Sequence, residues 1–121
     1  MTRGDGMNLY ALNVIQPVDW EPPPEELEEI MAGLRDIRAD LEAQEAWIFG
    51  KALRGPEAST TVWCRGEETV ASDGPWAEAD EYVGGLVIVE AEDRDAALQV
   101  AARYARVTGL RVEVRPFQEG A

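Results

Sequence analysis

The sequence predicts an α+β domain of the split βαβ plait kind, in which one antiparallel sheet carries both helices on one face and an extra hairpin is inserted. Three observations predict it. Apolar residues on both faces mark Leu9–Ile15, period-two alternation marks Leu110–Val114, a continuous apolar run marks Leu86–Glu90, and helical spacing marks two segments between them. The elements follow the order β-α-β, hairpin, β-α-β, and right-handed crossovers then bring both helices to the same side. The 121 residues, 45% of them hydrophobic, amount to one ordinary domain with enough apolar surface for a core.

Leu9 to Ile15 reads as the first strand, with Tyr10, Leu12 and Val14 on one face and Leu9, Ala11 and Ile15 on the other. Apolar groups on both faces make it a central strand, and Pro17 ends it. Pro22-Pro23-Pro24 leads into a helix whose Leu27, Ile30, Met31, Leu34, Ile37 and Leu41 form one apolar stripe. Glu25, Glu26, Glu28 and Glu29 crowd its first turns, where the positive end of the helix dipole favours them, and give it an acidic, solvated face. Trp47-Ile48-Phe49 begins a second strand that runs through Lys51 and Leu53 to a turn at Gly55-Pro56. Thr60 to Cys64 and Thr69 to Ala71 form a hairpin over 60–72.

Asp73-Gly74-Pro75-Trp76 breaks the chain sharply, and Gly84-Gly85 reads as a hinge before Leu86–Glu90, a strand expected to be buried on both faces. Asp93 is placed to cap a second helix, with Asp95 in its first turn, Ala97, Val100, Ala101 and Tyr104 on its inner face, and Gly109 as its terminator. Leu110, Val112 and Val114 alternate with Arg111, Glu113 and Arg115 in a last strand ended by Pro116. The domain therefore spans 7–117, between a flexible tail over 1–6 and a short one over 118–121. Strands apolar on both sides need cover on the face the helices leave open. The simplest cover is an identical subunit, so a homodimer with its sheets face to face is expected.

Charge and composition exclude several functions. Lys+Arg is 11 and Asp+Glu 24, a net charge of −13, which argues against nucleic-acid binding because phosphates are neutralised by clustered cations. No apolar run approaches the ~20 residues of a bilayer span, and no signal-peptide pattern is present. The expectation is a cytoplasmic protein with no membrane contact. Cys64 is the only cysteine, which excludes an intrachain disulfide and fits a reducing compartment. The absence of histidine removes the usual near-neutral proton shuttle, the His-activated nucleophiles and imidazole metal sites. Chemistry must then run on carboxylates, Tyr, Arg, the single Lys51 or the backbone. No cofactor and no metal is expected; Glu78, Asp80 and Glu81 lack the spacing of a calcium loop and read as a solvated turn.

Asp73-Gly74-Pro75-Trp76-Ala77-Glu78 is the sharpest local signal. Asp can accept a later backbone N–H, Gly takes unusual dihedrals and Pro pre-sets φ, so the segment is a good turn. It either plugs Trp76 into the core or aims the Asp73 carboxylate and the Trp76 ring into a cavity beside the sheet. These residues, with Thr60-Thr61-Val62, Gly84-Gly85 before the apolar strand, the Asp93-capped helix and Val112-Glu113-Val114-Arg115-Pro116, resemble the YCII-related family, specifically its DGPF-type members. The resemblance covers about residues 7–117.

The resemblance implies a ferredoxin-like plait that dimerises into an α/β barrel, with a cleft near the DGPF-like loop. It also implies a link to extracytoplasmic-function sigma factors. Relatives of the YCII type have a His-Asp pair in the cleft, and some eliminate chloride from small aromatic substrates. This chain departs from that pattern. It has no histidine, Arg103-Tyr104-Ala105 carries no carboxylate where the family's aspartate is expected, Trp63 stands in place of an arginine, and Trp76 in place of Phe.

Three functions remain open. As a binding module, Trp63, Trp76, Asp73 and an arginine, Arg54 or Arg115, would hold a small aromatic or anionic ligand. As an enzyme, a lyase- or isomerase-like elimination would use Asp73 as general base, with Arg54 or Arg115 orienting an anionic substrate. As an interaction protein, the acidic first helix would meet a basic partner such as a sigma factor. A regulatory or ligand-binding role is the expected one, with the enzyme as its alternative.

Overall fold

The computed structural model describes residues 8–119. The tail expected over 1–6, Met7 and the end of the tail expected over 118–121 lie outside the described residues. The elements are β1 (Asn8–Pro17), α1 (Pro24–Ala43), β2 (Trp47–Ala52), β3 (Thr60–Arg65), β4 (Glu68–Asp73), β5 (Glu81–Ala91), α2 (Arg94–Thr108) and β6 (Arg111–Pro116). The main sheet has the antiparallel order β2-β5-β1-β6, and β3-β4 forms a separate two-stranded sheet. Two helices on an antiparallel sheet in this order are consistent with a ferredoxin-like plait. No helix among the described residues is long and apolar enough to cross a membrane.

Local signals act where the sequence puts them. The Asp93 carboxylate accepts the Ala96 N–H at 2.8 Å and satisfies one of the orphan donors at the start of α2, a cap worth about 1 kcal/mol. Gly109 takes φ 73°, a left-handed conformation open to glycine at little cost, and stops the helix. Ala97 and Ala101 are buried and let α2 sit close to the sheet beside Tyr104. The core cluster joins them to Tyr10 and Leu12 of β1, Val87 and Val89 of β5, and Ile37 and Leu41 of α1.

The register separates two faces. Gly50, Val87, Leu12 and Val114 form one row across the sheet beneath the helices. The next row, Phe49, Ile88, Ala11 and Arg115, points to the opposite face by alternation, as do Lys51, Leu86, Asn13 and Glu113 two residues on. That second face is uncovered: Phe49 is 50% exposed, while Leu86 and Ile88 are only half-buried. The expectation that Leu86–Glu90 is buried on both faces therefore fails for one face of the single chain. Only Val87, Val89 and Ala91 lie fully under the helices.

Two other expectations are corrected. Gly84-Gly85 is not a hinge: β5 runs straight through it from Glu81, with a bulge opposite Val14 and Ile15. Gly84 is packed against Gln16, and any side chain there would collide with it, so the glycine serves close strand approach. Trp76 is not a core plug, being 88% exposed. The hairpin arm is tied at its base instead by the Gly74 N–H to the Ser59 carbonyl at 2.7 Å and by the Thr61 hydroxyl donating to the Gly74 carbonyl at 2.9 Å. Gly74 has φ 114°, which only glycine adopts readily.

Candidate functional site

The apolar stripe of α1 does two different things along its length. Ile37 and Leu41, near the C-terminal end, are buried in the core, whereas Leu27 and Met31 remain exposed near the N-terminal end. The reason lies in the sheet opposite. The strand positions facing that half of α1 include Gly50, Ala52 and Gly85, with Gly84 at the bulge, and none has a side chain large enough to fill the gap. A cavity of about 410 Å³ results, within the roughly 300–1,000 Å³ of small-molecule sites. Its wall is mostly apolar: Leu27, Ile30, Met31 and Leu34 from α1, Val14 and Val87 from the sheet, and Trp20 and Trp47 at the side.

Polar groups enter at a few points. Tyr104 of α2 lines the cavity and is 3% exposed, yet its hydroxyl makes no hydrogen bond among the described residues. No buried side-chain N or O atom among them is both sealed and unpartnered, so this hydroxyl is not fully sealed. Burial pushes Tyr104 up to about 12 against the opposing pull of the Arg103 and Arg38 charges, so at neutral pH it is a proton donor. Thr108 is satisfied locally: its hydroxyl donates to the Tyr104 carbonyl at 2.8 Å and accepts the Leu110 N–H at 3.1 Å.

Arg35 and Arg38 stand at the α1 rim. The Arg38 guanidinium lies 4.7 Å from the centre of the Trp47 ring and also pairs with Glu42 at 3.3 Å. Trp47 in turn lies against Gly50, where any side chain would strike the indole ring, so Gly50 sets the position of this wall. Lys51 belongs to the wall through its place on β2, while its register puts the side chain with Leu86 on the opposite face of the sheet.

A second cavity, of about 700 Å³, lies between the end of β2 and the loop leading to β5. It is lined by Arg54, Trp76, Glu57, Glu78 and Tyr82, among others. The Gln16 side chain, which lines the first cavity, donates to the Tyr82 hydroxyl of the second at 2.9 Å, so this hydrogen bond stands between them.

Of the residues singled out in the sequence, Arg54 and Trp76 meet in this second cavity. Asp73 closes β4 as an exposed residue paired in register with Thr60, and Trp63 sits mid-hairpin opposite Val70; neither lines either cavity. Arg115 lies on edge strand β6, with its guanidinium on Glu113 at 3.1 Å. Hydrogen bonds from the Asn13 amide, then from Arg115, hold the Glu113 carboxyl below its usual range. Arg111 pairs with Glu81, reaching across β1 to β5.

Arg35, Arg38 and Tyr104 are the cavity groups that sequence reasoning missed. Tyr104 was placed on the inner face of its helix, and the two arginines belong to no motif in the sequence. The available signal was a mismatch in bulk, a large-residue stripe on α1 against glycines and alanine, and it becomes readable only once strand pairing is known.

The sequence matches the YCII-related domain family over residues 7–118. No curated protein matches it. With nearly all of its length accounted for by that match and its helices and sheet ordered as above, the chain belongs to the YCII-related domain family.

Proposed function

We propose that this protein is a small-ligand-binding module of the DGPF type, acting as a cytoplasmic homodimer whose two sheets meet face to face as an α/β barrel. The observation that carries the binding reading is the buried Tyr104, with an unpartnered hydroxyl on a largely apolar cavity. A closed core would leave that donor paired, since an unsatisfied buried hydroxyl costs about 1–3 kcal/mol. The DGPF assignment is supported by Asp73-Gly74-Pro75-Trp76-Ala77-Glu78 at the base of the hairpin. Dimerisation is supported by the apolar open face around Phe49, Leu86 and Ile88. Cavity occupancy is then the signal through which a regulatory role linked to sigma-factor-dependent transcription would operate.

Binding is favoured over elimination because Asp73 is exposed and lies outside the wall of either cavity. A general base needs reach to its substrate proton. The test is a thermal-shift screen with small aromatic compounds. A ligand present at a hundredfold excess over its Kd is expected to raise Tm by roughly 10 °C. Leu34→Trp, which fills the cavity from α1, abolishes the rise, and Trp76→Ala preserves it. A rise that survives Leu34→Trp but vanishes in Trp76→Ala places the ligand in the second cavity and overturns this reading.

A further inference from the structure

The charge pattern of the cavity under α1 runs against that of the whole chain. Asp and Glu number 24 against 11 Lys and Arg, yet no carboxylate lines this cavity, and two guanidiniums, Arg35 and Arg38, stand at its rim. Arg35 has no ion-pair partner among the described residues. The Glu42 partner of Arg38 is about half exposed, as is Arg38 itself, and such surface pairs hold a side chain weakly. The Arg38 guanidinium also lies over the Trp47 ring on the cavity wall.

The rim charge and the interior donor line one cavity, Arg38 from α1 and Tyr104 from α2. Burial raises Tyr104, and the Arg103 and Arg38 charges lower it. A neutral apolar occupant would satisfy the wall but leave the hydroxyl unpaired and the cations unused. An anionic head answers both, because hydrogen bonds to a charged acceptor are roughly twice as strong as neutral ones. The −13 net charge slows approach of such a ligand, but screening over about 8 Å at physiological salt confines that repulsion.

We infer that the ligand is an organic monocarboxylate, its apolar body against Ile30, Leu34 and Val87 and its carboxylate between the Tyr104 hydroxyl and the guanidiniums of Arg38 and Arg35. This rests on the ligand-binding reading above and adds the chemical class.

The test pairs 3-phenylpropanoate with its neutral amide, 3-phenylpropanamide, in calorimetric titrations. The acid binds the wild type at least about tenfold more tightly than the amide. In the Arg35→Gln/Arg38→Gln double variant the two bind within about twofold of each other, and an unchanged thermal unfolding profile of the unliganded variant reports that the fold is intact. Tyr104→Phe weakens the acid about tenfold and the amide less. If the variants do not fold, the wild type still decides: raising salt weakens acid binding and leaves amide binding unchanged. Equal binding of acid and amide, or an acid preference insensitive to both arginines and salt, overturns the monocarboxylate inference while leaving the cavity as a site. Failure of both probes to bind overturns the ligand reading and this inference together.

Discussion

Leu12→Ala is expected to lower the unfolding free energy by about 2–5 kcal/mol, read from urea denaturation as a fall in midpoint at unchanged slope. Leu12 is 0% exposed at the centre of β1, with Val87 on one side and Val114 on the other. Because β1 is hydrogen-bonded on both edges, its backbone cannot move inward to fill the void, and the loss belongs in the upper part of that range. Against a typical total of about 5–15 kcal/mol, such a loss approaches the limit of folding. The matching control is Val62→Ala on the hairpin, where the side chain is 61% exposed and the change stays within about 0.5 kcal/mol. Equal effects at the two positions would mean that the core does not centre on β1.

Ile88→Asp is expected to convert a dimer into a monomer, raising the dissociation constant at least about a hundredfold in sedimentation velocity. Ile88 sits mid-sheet between Phe49 and Ala11 on the face away from the helices. In a lone chain that face meets water and the carboxylate is tolerated. In a face-to-face dimer it is buried without a partner, at a cost of several kcal/mol. Far-UV circular dichroism therefore stays native while the mass falls to the 13.3 kDa of one chain. A wild type that is already monomeric at micromolar concentration, or a variant that dimerises as well as the wild type, removes the dimer from the proposal.

Much of the architecture was legible because it rests on local signals. The Asp93 cap and the Gly109 stop bound α2 within a residue of their sequence positions, and apolar groups on both faces of Leu9–Ile15 identified β1 as central. Gly84-Gly85 misled because paired glycines read as a break, whereas here neighbouring strands on both sides hold β5 straight. Trp76 left two readings open, a core plug or a ring aimed into a cavity; it is 88% exposed and lines the second cavity, so only the core plug fails.

The cavity was the least legible feature. Its wall depends on α1 crossing over Gly50, Ala52 and Gly85, and that meeting requires the β2-β5 register, including the irregularity between Trp47 and Phe49. No local spacing encodes such non-local pairing. The arginines at 35 and 38 acquire meaning only when Trp47 and Tyr104 are seen to line the same cavity. By contrast, the segment Asp73–Glu78 carried a strong sequence signal and marks the hairpin base and the wall of the second cavity.

The most direct measurement is the pattern of intermolecular nuclear Overhauser effects between the protein and bound 3-phenylpropanoate. Cross-peaks from the ligand ring to the methyl groups of Leu34 and Val87 and to the Trp47 indole are expected, all three side chains lining the space beneath α1. Cross-peaks to Trp76 in their place, or none at saturating ligand, would contradict the account.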